Sequence, residues 1–91
     1  MNNIKVIQSP RFKKAFKKLH LHMQKIVYKA IRAIILSPEI GIHKAGDLLD
    51  VYIYKFKINK QEHLLAYEWD EKTRILLALG VHENFYRDLK R

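Results

Sequence analysis

Two lysines and a histidine–tyrosine pair are the residues of this sequence whose types and spacing suit chemistry on a phosphate. Lys55 and Lys57 lie two positions apart, and His82 and Tyr86 lie four positions apart near the end of the chain. Cleaving RNA without a metal requires a base for the 2′-hydroxyl, an acid for the leaving 5′-oxygen, and cations for the phosphate. The histidine can serve as acid or base, the lysines can stabilise charge, and the tyrosine can stack on a base or donate a proton.

The overall charge of the chain also predicts an anionic partner. The 91 residues include 18 Lys and Arg against nine Asp and Glu, so the formal net charge is +9. Such an excess favours binding to nucleic acid, to an anionic membrane surface or to an acidic protein. The alternative is a protein that is basic without such a partner.

Composition narrows the site types further. The absence of cysteine excludes disulfides and Cys-based zinc sites and fits a cytoplasmic protein. No pair of histidines has zinc spacing with a third ligand, so we predict neither a metal nor another cofactor. The N-terminal residues lack the apolar run of a signal peptide.

Residues 11–20 show the pattern of an amphipathic helix with a basic outer face. Phe12, Phe16 and Leu19 recur at helical spacing on one side. The opposite side carries the cations Arg11, Lys13, Lys14, Lys17 and Lys18. We predict that Lys13, Lys14, Lys17 and Lys18 bind RNA phosphates without reading sequence; the alternative is a face that serves solubility alone. Membrane insertion is disfavoured, because the apolar side is needed to cover a sheet.

The remaining elements follow from periodicity and from turn residues. Strands are predicted at 4–8, 51–58, 64–69 and 75–79, helices at 11–20 and 23–36, and a short C-terminal helix at 82–90. Ser9 is the predicted N-cap of the first helix, with Pro10 at its first position. Residues 39–50 are a predicted loop.

Together these elements predict one α+β domain over residues 1–91. Its sheet is expected to be four-stranded and mainly antiparallel, with both N-terminal helices on one face and a short C-terminal helix in the order β-α-α-β-β-β-α. In residues 51–58, alternation places Tyr54 and Phe56 on one face and Lys55 and Lys57 on the other. We expect the helices to cover the aromatic face and the lysine face to stay open as a basic floor. The alternative is a pair of solvated strand lysines.

The C-terminal segment is predicted to complete the site. Gly80 is expected to end the last strand and to allow a sharp turn. Phe85 and Leu89, four positions apart, are assigned to packing. His82, Tyr86 and Arg87 would then face the lysine pair, with Arg87 binding phosphate.

At these residues the chain resembles the RelE/ParE superfamily of bacterial toxins from toxin–antitoxin pairs. The resemblance is carried by GDLLDVYIYKFKIN, EHLLAYEWDE and LLALGVHENFY, and the order of elements agrees with it. It implies that Lys55 and Lys57 match the catalytic lysine pair of RelE and that Tyr67 matches a recurring tyrosine. His82 stands where RelE-like members carry arginine or histidine, and Tyr86 where they carry tyrosine or phenylalanine.

The resemblance implies a ribosome-dependent mRNA endonuclease that blocks translation, acts by metal-free 2′-O attack, and pairs with a cognate antitoxin through an acidic segment. Leu64 departs from this pattern, because RelE has a catalytic arginine there; His63 or Arg87 is expected to compensate. The ParE branch shares the fold but lacks the nuclease residues and poisons DNA gyrase, so a gyrase inhibitor is the alternative. A nucleic-acid-binding module without toxicity is a third reading.

Overall fold

The computed structural model of the chain describes residues 3–44 and 50–81. The first strand, β1 (Lys5–Gln8), is followed by helices α1 (Pro10–Lys17) and α2 (Leu21–Leu36). After a 3-10 turn at Pro38–Ile40 come strands β2 (Ile42–Lys44), β3 (Val51–Ile58), β4 (Gln61–Trp69) and β5 (Thr73–Val81). The sheet order is β1-β5-β4-β3-β2; β1 runs parallel to β5, and the other neighbours are antiparallel.

The α+β class, the two N-terminal helices and the meander of β3 to β5 are confirmed, but the strand count is wrong. The sheet has five strands because β2 forms within the predicted loop 39–50 and pairs with β3. It is mixed because β1 runs parallel to β5, while the other pairs are antiparallel, as the prediction of a mainly antiparallel sheet requires. A strand of three residues is too short to show alternation, and its hydrogen bonds come from a distant partner. The predicted helix at 82–90 lies outside the described residues.

Helix α1 begins as the sequence predicts. The Ser9 Oγ accepts a hydrogen bond from the Phe12 N–H at 3.1 Å, and Pro10 occupies the first turn. The same hydroxyl donates to the Leu77 carbonyl on β5 at 2.7 Å, so the cap also fixes α1 to the sheet. The cap therefore satisfies a free helix N–H and positions the helix in one step.

The boundary between the two helices lies nearer the N-terminus than the sequence pattern indicates. Helix α1 ends at Lys17 and α2 begins at Leu21, against predicted limits of 20 and 23. The Gln24 amide donates to the carbonyls of Phe16 at 3.1 Å and Leu19 at 3.3 Å, which ties the first turns of α2 to the end of α1 and to the segment that follows it. No helix within 3–44 and 50–81 is long and apolar enough to span a bilayer.

A two-residue turn sets the register between β3 and β4. Asn59 and Lys60 both have positive φ, 52° and 71°, as a type I′ turn requires. Ile58 therefore pairs with Gln61, and β4 starts three residues before the predicted residue 64.

Strand β5 is also longer than predicted. It extends to Val81, and Gly80 pairs with Leu64 inside it, so the expectation that Gly80 ends the strand is wrong.

The main hydrophobic core lies between the helices and one face of the sheet, here called the helix face. Phe12, Val27 and Ile34 from the helices meet Leu65 and Leu76 from the strands, all fully buried. Tyr54 and Phe56 pack against the same cluster, which confirms that the helices cover the aromatic side of β3. Burial of this apolar area is the dominant favourable term in folding.

Two polar side chains fasten α2 and the turn after it to the sheet. The buried Tyr67 hydroxyl donates to the Pro38 carbonyl at 2.6 Å and accepts from the Gly41 N–H at 3.0 Å. Burial raises the pKa of Tyr67, so the hydroxyl keeps the proton that it donates. Arg74, 4% exposed, donates to the carbonyls of Ile34 and Ile35 at the end of α2 and compensates the negative end of its dipole.

Candidate functional site

The lysine pair lies on the side of the sheet that faces away from the helices, here called the opposite face. Because Tyr54 and Phe56 contact the helix-side core, strand alternation directs Lys55 and Lys57 to the other side. Both lysines are exposed. Across β4, Lys55 pairs with Leu64 and Lys57 pairs with Glu62. Two cations two residues apart on one strand are well placed to bind a single phosphodiester.

The predicted open basic floor is present only around Lys55 and Lys57, at one end of the opposite face. A second apolar cluster, formed by Val51, Ile53, Leu64, Ala66 and Ala78, occupies the rest of it. Its members are 6% exposed or less, and every residue assigned to it belongs to β3, β4 or β5. The alternation of β3 predicts the direction of a side chain but not what covers it. The exposed lysines therefore lie at the margin of a buried apolar patch.

Glu62 is the carboxylate that the structure places beside the lysine pair. It lies directly opposite Lys57 and is partly buried. Directly opposed side chains on one face have Cβ atoms about 4.5–5.5 Å apart. Neither the Glu62 carboxylate nor the Lys57 ammonium has a hydrogen-bond or ion-pair partner in the described part of the chain. Glu62 is not among the predicted site residues, although a two-residue hairpin turn at Asn59 and Lys60 gives this register.

A separate basic surface is formed by the lysines of α1 and by Lys18, the residue that follows it; these four are here called the α1 lysines. Lys13, Lys14, Lys17 and Lys18 are all exposed on the outer side of a helix that packs on the helix face. The sheet lies between them and the pair on β3. The structure therefore does not join the two groups into one site; each must contact a different part of a partner.

His63 cannot compensate for the missing arginine in the way expected. It pairs with Phe56, lies on the helix face and is 5% exposed, with its ring centroid 6.0 Å from that of Phe56. Its Nδ1 lies 3.1 Å from the Gln61 carbonyl oxygen. Leu64 lies on the opposite face, beside Lys55. Because His63 is its neighbour along the strand, the His63 side chain lies on the helix face, away from the lysine pair.

The C-terminal half of the predicted site lies outside the described residues. This applies to His82, Tyr86 and Arg87 and to the packing pair Phe85 and Leu89. Their assignments remain predictions. Strand β5 runs up to Val81, which pairs with His63 on β4. Among residues 3–44 and 50–81, no group of three His, Asp or Glu has the arrangement of a metal site.

The comparison with protein families agrees with the topology. The family model of the ParE-like toxins of type II bacterial toxin–antitoxin systems matches residues 6–90. The chain belongs to this toxin family. The match includes nearly all of β1, both helices and the four remaining strands, and it confirms the resemblance to the RelE/ParE superfamily. Among curated proteins, no sequence matches the chain significantly.

Solved structures show the same fold at low sequence identity. The toxin of the intact E. coli RelBE toxin–antitoxin complex is 24% identical, with a TM-score of 0.69 over 88% of this chain and 98% of that one. An E. coli RelE mutant in the free state is 22% identical, with a TM-score of 0.70 over 96% and 90%. The archaeal RelE–RelB complex from Pyrococcus horikoshii gives 15% identity and a TM-score of 0.58 over 89% and 97%.

Proposed function

We propose that this toxin, a single domain over residues 1–91, is a ribosome-dependent mRNA endonuclease that inhibits translation. The observation that carries the proposal is the exposed pair Lys55 and Lys57 on the opposite face, away from the helices. The pair supplies positive charge where a phosphodiester gains negative charge during 2′-O attack. No metal takes part in the proposed reaction.

The remaining roles come from the predicted residues. His82 acts as the acid or the base, Tyr86 stacks on a base or donates a proton, and Arg87 binds phosphate. The α1 lysines, Lys13, Lys14, Lys17 and Lys18, hold RNA phosphates on the other side of the domain and strengthen binding to the ribosome. This arrangement assigns chemistry to the strand lysines and salt-dependent association to the helix lysines.

A translation extract with a defined messenger tests the nuclease. Wild-type toxin should cut the messenger while translation runs, and Lys57→Ala and His82→Ala should cut it at least about 100-fold more slowly. Lys72→Ala removes the same charge from the exposed turn between β4 and β5 and serves as the matched control. An intact messenger in the wild-type reaction, with translation running, contradicts the proposal.

Leu64 favours a second candidate, a ParE-like inhibitor of DNA gyrase. It is fully buried beside Lys55 at the position where the resemblance to RelE places a catalytic arginine. A toxin without that arginine suits a role that needs binding and no chemistry. In a gyrase supercoiling assay, inhibition that survives His82→Ala and Lys57→Ala would favour this candidate over the nuclease.

We also infer a cognate antitoxin and a cytoplasmic location, where ribosomes and gyrase are found. E. coli RelE has been solved in an intact complex with RelB and with a peptide of that antitoxin, and the archaeal RelE with its RelB. The net charge of +9 suits an acidic antitoxin segment, which electrostatic attraction would steer to the toxin. Co-expression with the adjacent reading frame should restore growth and yield a co-purifying complex.

A further inference from the structure

Glu62 has a position that the family assignment does not explain. It shares the opposite face with Lys55 and Lys57, lies directly across from Lys57, and has no side-chain partner among the described residues. The next carboxylate along β4 on that face is Glu68, which pairs with Ile75. Six residues of strand separate the two acids by about 20 Å. Glu62 is therefore the described acid within reach of a phosphodiester held by the lysine pair.

We propose that Glu62 is the general base of the cleavage reaction, an inference that rests on the proposed nuclease function. Lysine side chains in water are protonated at neutral pH, so they supply charge or a proton rather than a lone pair. A carboxylate is ionised at that pH and accepts a proton. With the phosphate on Lys55 and Lys57, the adjacent 2′-hydroxyl can approach Glu62 from the solvent side.

The O2′–H bond breaks and its proton passes to the Glu62 carboxylate, while the O2′–phosphorus bond forms. The phosphorus–O5′ bond breaks, and the 5′-oxygen takes a proton from a second acid, the role left to His82 or to a lysine. The products are a 2′,3′-cyclic phosphate and a free 5′-hydroxyl, and no electrons are gained or lost.

The competing explanation is structural, since opposed Lys and Glu side chains stabilise a hairpin by about 0.2–1 kcal/mol. On that explanation, Glu62→Gln would lower the free energy of unfolding and leave the rate of the folded toxin on saturating ribosomes unchanged. If Glu62 is the base, Glu62→Gln instead lowers the rate of the folded toxin and leaves the free energy of unfolding unchanged. The substitution removes the charge at constant size, and Glu68→Gln is its matched control on the same strand and face.

Single-turnover cleavage on programmed ribosomes, with full-length toxin in excess, separates these explanations. Glu62→Gln should lower the saturating rate about 100-fold, with ribosome affinity and urea unfolding unchanged. Glu62→Asp should retain an intermediate rate, and Glu68→Gln should match wild type. A rate within about threefold of wild type for Glu62→Gln, or a loss confined to affinity or stability, overturns the assignment.

A substrate with sulfur in place of the bridging 5′-oxygen decides between base and acid. A thiolate leaves without a proton, so this substrate restores variants that lack the acid but not variants that lack the base. Glu62→Gln should stay slow on it, and recovery would overturn the assignment. If the wild-type toxin cuts neither the ordinary nor the sulfur-containing messenger, the proposed nuclease function is wrong. If the wild type cuts and every Glu62 variant cuts equally fast, only the assignment of Glu62 as the base is wrong.

Discussion

The Tyr67 hydroxyl and the Gly41 amide form a close contact that fixes the passage from α2 into the sheet. The N–H donates to the hydroxyl at 3.0 Å, and a Cβ at position 41 would lie 2.5 Å from the same oxygen. The hydroxyl also donates to the Pro38 carbonyl, so it holds both ends of the 3-10 turn before β2. Glycine is required at 41 by this approach and not by its backbone angles, which are extended.

Tyr67→Phe should lower the free energy of unfolding by about 1–3 kcal/mol, because it leaves a buried carbonyl and an N–H without a partner. Gly41→Ala should lower it as well, because the added methyl meets the hydroxyl. The double variant should lose less than the sum of the single losses, since the phenylalanine ring lacks the oxygen with which the methyl collides. Urea unfolding measures all three, with Tyr28→Phe on the exposed side of α2 as control. Additive losses would contradict the contact.

Arg74→Met should destabilise the fold by at least about 2 kcal/mol. The guanidinium donates to carbonyls of Ile34, Ile35 and Asp70 at 3.2, 2.9 and 2.7 Å, and the substitution leaves these acceptors without a donor. Arg32→Met removes the same charge from an exposed position on α2 and should change stability by less than about 0.5 kcal/mol. Equal thermal midpoints for the two variants would show that Arg74 is not an anchor.

Lys60→Gly should stabilise the toxin. Lys60 has a φ of 71°, a conformation that costs a residue with a side chain about 1–2 kcal/mol and costs glycine little. Part of the gain is lost to the greater freedom of glycine in the unfolded chain, so we expect about 0.5–1 kcal/mol in chemical denaturation. Lys72→Gly, in a turn without positive φ, should give no gain. Similar gains at both positions would mean that the turn geometry is not responsible.

Stability should fall at acid pH partly through Asp70. Hydrogen bonds from the Lys72 and Thr73 N–H groups, at 2.8 and 2.9 Å, lower the pKa of Asp70 below its ordinary 3.8. Because the folded pKa is the lower one, the contribution is complete above pH 3.8 and is lost as the pH falls through the folded pKa. Asp70→Asn should therefore unfold with a weaker pH dependence in this range, measured by thermal midpoint. An unchanged slope would contradict this origin.

The two basic surfaces should affect different kinetic quantities. Changing Lys55 and Lys57 to Ala should lower the saturating single-turnover rate, since these lysines face the reacting phosphate in our proposal. Changing Lys13, Lys14, Lys17 and Lys18 to Gln should instead weaken ribosome binding and flatten its salt dependence. If the helix variant loses its saturating rate while the strand variant keeps it, the assignment of the two surfaces is reversed.

Much of the local structure could be predicted, because its causes lie close together in the chain. The cap at Ser9 and the alternation of β3 depend on neighbours within a few residues. That alternation was enough to place Lys55 and Lys57 on the face away from the helices. The three-residue strand β2 could not be predicted, since it exists only through pairing with β3.

In the candidate site, too, some features have local causes and others depend on contacts between distant segments. Which residues share a strand face follows from local sequence, because it depends on a period of two residues. The register that sets Glu62 opposite Lys57 also has a local cause, the turn at Asn59 and Lys60. Long-range packing instead buries the apolar patch beside Lys55 and brings Arg74 to carbonyls 39 and 40 residues away. These last two outcomes depend on contacts between segments far apart in the chain, which no local pattern encodes.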